Sequence, residues 1–253
     1  MSASLALVVA AQAVFAALLG TVGVRLLLLA ARTRCAPELA LGVGFLGVIV
    51  AIPLLGISGL GRAVVGDIHF PLLVIALFVL WLSMSAMSCF TWRAFRPAET
   101  WSAALTGGLT LLTGAILIGV WHGTTTAGDP ATHSLEAARP WVLLIRLPFT
   151  LGLIWTAIEA FRQYGMARRR LALGIGDPVV VNRFLLWGLV SVFTMLNNGV
   201  ATALQAQGRG PSNDPAGALV LAVGGVVGGT LVYLVFMPPE AWLRRVRGRA
   251  ANA

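Results

Sequence analysis

The stretch LLIRLPFTLGLIWTAIEAF, from Leu143 to Phe161, is apolar along its length yet carries Arg146 near one end and Glu159 near the other. A run of about 20 apolar residues crosses a hydrocarbon core about 30 Å thick. Such a segment therefore reads as a transmembrane helix rather than as the core helix of a soluble domain. Its two charges are the exception to explain, because an ionisable group inside a bilayer costs several kcal/mol unless it finds a partner, water or the interface.

The rest of the chain repeats the pattern. It is 58% hydrophobic and 11% charged, against roughly 25% charged for an ordinary soluble domain. Apolar runs fall at about 4-30, 39-61, 70-92, 102-121, 141-163, 184-206 and 218-237. The expectation is an all-α polytopic membrane protein, a seven-transmembrane-helix bundle over 1-237. A basic tail, 238-253, follows, with a short interfacial helix near Trp242. The first run is not read as a cleaved signal, since Met1 to Leu5 has no positive charge and Arg25, Arg32 and Arg34 come later.

All eighteen basic residues are Arg. With the N-terminus outside, the cytoplasmic side would hold Arg25, Arg32, Arg34, Arg93, Arg96, Arg162, Arg168, Arg169, Arg170, Arg183, Arg244, Arg245, Arg247 and Arg249. The outer side would hold only Arg62, Arg139 and Arg209, with Arg146 inside a helix. Short loops rich in Arg stay cytoplasmic, so the expected topology is N-terminus outside and C-terminus cytoplasmic, in the inner (plasma) membrane. The net charge of +9 then faces one side. It suits anionic lipid, at about 1 kcal/mol per basic residue near the surface, rather than nucleic acid.

Prolines punctuate the expected helix starts at Pro37, Pro71, Pro97, Pro140 and Pro178, where a missing N–H costs nothing. Glu38, Glu99 and Glu240 follow closely, favoured by the positive helix end. Two junctions are unusually alike, FRPAETW from Phe95 and FMPPEAW from Phe236. Their offset would fit a three-plus-one-plus-three repeat, although Pro-Glu junctions also arise independently. Glycines at 42, 44 and 47, at 107 and 108, and at 224, 225, 228 and 229 point to close helix packing.

The candidate ligand site is the outer half of the bundle. Arg146 lies about 9 Å below the outer end of its segment and about 20 Å from Glu159, so the two do not pair. Glu159 has Arg162 three positions on, a same-face spacing. Arg146 has no acidic neighbour in its own segment; snorkelling to headgroups accounts for it without function, whereas a pocket gives it one. Asn197, Asn198, His69, His122 and Trp155 complete the expected ligand-binding set, with Gln205, Gln207, Trp121 and Trp141 nearby. A guanidinium with amide and imidazole donors suits a carboxylate or phosphate. Adjacent asparagines point about 100° apart, so at least one of the pair is expected to knit helices instead. Arg168, Arg169, Arg170, Arg244, Arg245 and Arg247 are the expected residues for lipid or partner docking.

Several chemistries are set aside. Retinal Schiff-base formation needs a Lys amine, and the chain has none. No cofactor is expected. His69 and His122 would be the pair to hold a haem or metal, but two ligands fall short of the usual four. Met84, Met87 and Cys89 are soft donors in a segment where packing accounts for them equally well. Nucleophile-elbow, metalloprotease, Walker and haem-attachment motifs are absent, so enzymatic activity is unsupported. The inner stretch GMARRRLALGIGDPVVVNR reads as a loop at the headgroup boundary, with Asp177 and Pro178 starting the next helix. The functional expectation is a receptor or sensor that binds a small anionic or amphipathic ligand in an outward-facing pocket and relays this through its Arg-rich inner face to a protein partner. A small-solute transporter or facilitator, with Thr150, Thr156 and Thr230 extending a polar path, and a non-catalytic subunit of a membrane complex are the alternatives.

Overall fold

The computed structural model describes residues 3–55, 70–125, 140–207 and 214–251. The described residues form helices and no strands: α1 (Ala3–Thr33), α2 (Ala36–Leu55), α3 (Phe70–Phe95), α4 (Thr100–Thr125), α5 (Arg146–Ala172), α6 (Pro178–Ala206), α7 (Pro215–Phe236) and α8 (Glu240–Ala251). Seven helical spans are long and apolar enough to cross a membrane. The protein is thus a multi-pass membrane protein by length and composition.

Helix ends follow local chemistry. Asp177 caps α6, its Oδ1 accepting from the backbone N–H of Val179 at 2.8 Å, with Pro178 at the first helical position. Asp214 does the same for α7, Oδ2 accepting from the N–H of Gly217 at 3.0 Å ahead of Pro215. The stretch 165–183, expected as a loop, is mostly helical: α5 continues to Ala172 and α6 begins at Pro178, which leaves 173–177 between them. Apolarity ends where charge begins, but helix does not, because Arg, Met, Ala and Leu are strong helix formers and Arg169 and Arg170 favour the negative end of the α5 dipole.

Among the described residues, helix is interrupted once within a span. Residues 140–144 are helical, Ile145 is a turn, and α5 starts at Arg146. Pro148 is the cause: it has no N–H to offer the carbonyl of Leu144, and its ring crowds that carbonyl.

The chain divides into two compact units, one of Met1–Val22 with Leu153–Ala253, the other of Gly23–Gly152. In the Gly23–Gly152 unit, α2 is held by missing side chains. A Cβ on Gly42 would fall 2.7 Å from Leu27 Cδ2, on Gly44 2.7 Å from Met87 Cγ, and on Gly47 2.8 Å from Ser83 Cβ. Ser83 Oγ donates to the Gly44 carbonyl at 2.5 Å, a polar contact that reinforces the same close approach, and Trp81 Nε1 donates to Thr110 O at 3.1 Å, joining α3 to α4. Leu73, Leu77, Leu117 and Val120 form a buried cluster with Val142 and Ile145 packed on it. The Trp141 ring lies so close to Gly119 that a Cβ there would meet it.

In the other unit, α7 uses two glycine rows for two neighbours. Gly225 and Gly229 lie against Ala11, Phe15 and Leu18 of α1, while Gly224 and Gly228 face Asn197 and Phe193 of α6. Trp187 of α6 meets Phe236 edge to face, centroids 5.4 Å apart, and Gly188 admits the Phe161 ring of α5. The expectation of close packing therefore holds for the glycines of α2 and α7. It fails for Gly107 and Gly108: nothing lies within 4 Å of a Cβ at either, because they occupy the exposed side of α4 with Leu111 and Ile118.

Replacing Gly225 or Gly229 with Leu forces atoms into Phe15 and Leu18. Overpacking of this kind costs about 1–3 kcal/mol, expected as a lower Tm of the detergent-purified protein. The same replacement at Gly107 should leave Tm unchanged or raise it; equal losses at all three positions would contradict the packing described.

Candidate ligand-binding site

The expected site residues divide between the units. Arg146 and His122 belong to Gly23–Gly152; Trp155, Asn197 and Asn198 belong to the other. No single unit assembles the full set. His69 lies outside the described residues.

Within Gly23–Gly152, Arg146 is the first residue of α5, half-buried, and directly follows the turn at Ile145. Ile145 packs on the cluster that contains Val120, and His122 follows Val120 by two residues on the last turns of α4, where it is exposed. The guanidinium-bearing and imidazole-bearing residues are thus brought to the same end of one unit. They are flanked by Trp121 and Trp141, both substantially exposed. The first N–H groups of a helix are not used within it, and the carbonyl of Leu144 has lost the donor that Pro148 lacks. A break of this kind inside a membrane span is tolerated only where it lines a cavity or is buried in protein.

In the other unit the residues play different parts. Asn197 lies across Gly224, its amide in the space a Cβ would take, so it knits α6 to α7. Asn198 is half-buried one position on, and its carbonyl accepts from Thr202 Oγ1 at 2.7 Å. Trp155 is buried in α5. Glu159, 2% exposed, is 3.7 Å from Arg162, whose own side chain is half-exposed. The spacing expected for that ion pair is the one observed.

Hydroxyls mostly serve their own helices. Thr113, Ser191 and Thr230 each donate to the carbonyl four residues earlier, at 2.7, 3.0 and 2.7 Å. Such back-bonding satisfies a hydroxyl within the membrane without a solute. Thr230, one of the three residues considered for a polar path, is among them.

The basic residues are presented openly. Arg168, Arg169 and Arg170 are exposed on the last turns of α5 rather than in a loop, and Arg244, Arg245 and Arg247 are exposed on α8. Arg244 reaches Glu240 at 3.5 Å. Sequence reasoning missed the corner between α3 and α4. There Arg93 stacks on Trp92 at 4.1 Å, Arg96 on Trp101 at 5.6 Å, and Arg96 pairs with Glu99 at 3.7 Å. The Arg-Trp spacing in TWRAFRPAETW was the available signal. Glu99, expected as a helix-start acid, is also an ion-pair partner. No group of three or more His, Cys, Asp or Glu with metal-binding geometry occurs among the described residues.

Fold and site together define a class, a polytopic α-helical membrane protein with a charge at an interrupted span. Beyond that class, no family model, no curated protein and no solved structure matches the chain.

Pro148→Ala restores the missing N–H and should join 140–144 to α5 as one helix. Because an interior proline costs about 3 kcal/mol in a helix, the variant is expected to have a higher Tm and greater helical circular dichroism. No gain in either would show that packing around Ile145, not Pro148, holds the break.

Proposed function

We propose that the protein is a receptor or sensor of the inner membrane, with its N-terminus outside and its C-terminus cytoplasmic, that recognises a small anionic or amphipathic ligand at Arg146. The observation that carries this reading is the position of Arg146 at the head of α5, directly after a helix interruption within a membrane span. Half-helix N-termini inside a bilayer favour anionic groups, and a guanidinium forms two parallel hydrogen bonds with a carboxylate or phosphate. His122, at the same end of the unit, supplies a second donor. Asn197 is left out of the contact set because it already packs on Gly224. The Arg-rich cytoplasmic face then passes the bound state to a second protein. The back-bonded hydroxyls favour this reading over conduction of a solute.

The ligand assignment is tested by thermal unfolding in neutral-lipid nanodiscs with a panel of alkyl carboxylates, alkyl phosphates and matched alkyl ammonium ions. A binder present at a hundredfold excess over its Kd stabilises by about 2.7 kcal/mol. At least one anion is expected to raise Tm, Arg146→Leu to abolish the rise, and the cations to do nothing. Equal stabilisation of the Arg146→Leu variant, or none by any anion, removes the proposal.

Orientation has a built-in reporter in Cys35, an exposed thiol between α1 and α2. A membrane-impermeant maleimide should label it in inside-out vesicles and spare it in intact cells. The reverse pattern would invert the topology.

A further inference from the structure

Among the described residues, the large apolar side chains that stand exposed lie in the seven membrane spans, with two exceptions: Leu173, 75% exposed, and Ile175, 76% exposed. Lipid accounts for those along the apolar length of each span. It does not account for these two, which occupy the turn between the spans that end at Ala172 and begin at Pro178.

The turn is rigidly built. Gly174 has φ +75, its N–H donates to Leu171 O at 2.9 Å, and the N–H of Ile175 donates to Arg170 O at 3.1 Å. These two bonds define a Schellman motif closing α5, with Gly174 in the left-handed position. Gly176 passes so close to α5 that a Cβ would fall 2.5 Å from the backbone nitrogen of Leu171. Asp177 then caps α6. Both flanking helices and both glycines fix the direction in which the turn presents its side chains.

In a Schellman motif the apolar residue after the glycine usually packs back on the third or fourth residue from the helix end. Those positions here are Arg170 and Arg169. The partner that would cover Ile175 from within the chain has been replaced by charge, and Ile175 stays out with Leu173 beside it.

Length sets where this happens. The apolar part of α5, Arg146 to Phe161, measures about 24 Å and is preceded by the helical residues 140–144, together enough for the hydrocarbon core. From Arg162 to Ala172 α5 continues for about 16 Å more, whereas the headgroup layer on each face is only about 5–8 Å deep. A helix of that length running along the bilayer normal would carry the turn past the headgroups.

We propose that the turn 173–177 is a docking knob for a soluble protein whose surface carries an apolar pocket rimmed by carboxylates: Leu173 and Ile175 fill the pocket, and Arg168, Arg169 and Arg170 engage the rim. Charge complementarity selects the partner. The three arginines are exposed, and the nearest acid, Asp177, is already committed to the N–H of Val179. This inference goes beyond the ligand reading, since a subunit that bound no ligand at Arg146 would dock through the same turn.

Two measurements on the full chain decide it. In the first, Ile175→Cys, in a Cys35→Ser, Cys89→Ser background, carries an environment-sensitive fluorophore in nanodiscs containing phosphatidylglycerol and doxyl-labelled lipid. Emission is expected to be unquenched; strong quenching would place the turn in the bilayer surface and overturn the proposal. The second is the binding of a synthetic amphipathic helical peptide with one Leu face bordered by Glu to the protein in phosphatidylcholine nanodiscs. Saturable binding is expected, at least tenfold weaker for Leu173→Ser/Ile175→Ser and for Arg168→Glu/Arg169→Glu/Arg170→Glu. No binding by the unaltered chain, or equal binding by either variant, would also overturn it.

Discussion

A bilayer core offers no water to hydrogen-bond to, so each backbone N–H and C=O that crosses it must be satisfied within the protein. The secondary structure of the spans follows from that demand. It makes every span a helix, it turns hydroxyls such as those of Thr113 and Ser191 back onto their own carbonyls, and it confines irregular backbone to places with a reason. The break at Ile145 has one in Pro148. Pro148 and Arg146 lie two residues apart at that break, so the missing donor and the cation fall in the same turn.

Once the helices exist, dispersion and close approach hold them, because lipid tails are as apolar as the side chains they would replace. That is why the tightest contacts centre on glycine. The α2 glycines receive Leu27, Met87 and Ser83, and the two α7 rows separate the surfaces meant for α1 and α6. One interhelical polar contact sits where the backbones come close, Ser83 on the Gly44 carbonyl. Asn197 follows the same logic, its amide occupying the space above Gly224.

Charge is handled at the ends. Stacking of Arg93 on Trp92 and of Arg96 on Trp101 gives each guanidinium a flat apolar surface while its edge stays available for polar groups, an arrangement suited to an interface. The α5 arginines are different. They are exposed on the last turns of α5 and lead into a turn whose Leu173 and Ile175 are uncovered, the two features on which the docking proposal rests.

The sequence alone determined the class: seven apolar runs each of bilayer length, proline and aspartate at helix starts, and the Glu159–Arg162 pair by its spacing. These are local or compositional properties, carried by the identity of residues within a few positions of each other, and the structure alters them only at the margins. What tertiary structure decided depends on which residues distant in the chain come together. Hydropathy could not show that α5 runs on through Arg168 to Ala172, because helix persistence is set by propensity and capping rather than by apolarity. It could not tell the packed glycines of α7 from the bare Gly107 and Gly108 of α4, since the same small-residue pattern serves either way until a neighbouring helix arrives. Nor could it separate Asn197, spent on Gly224, from Arg146, set at the head of an interrupted helix. A polar residue's role in a membrane is fixed by what faces it, and that is a property of the fold.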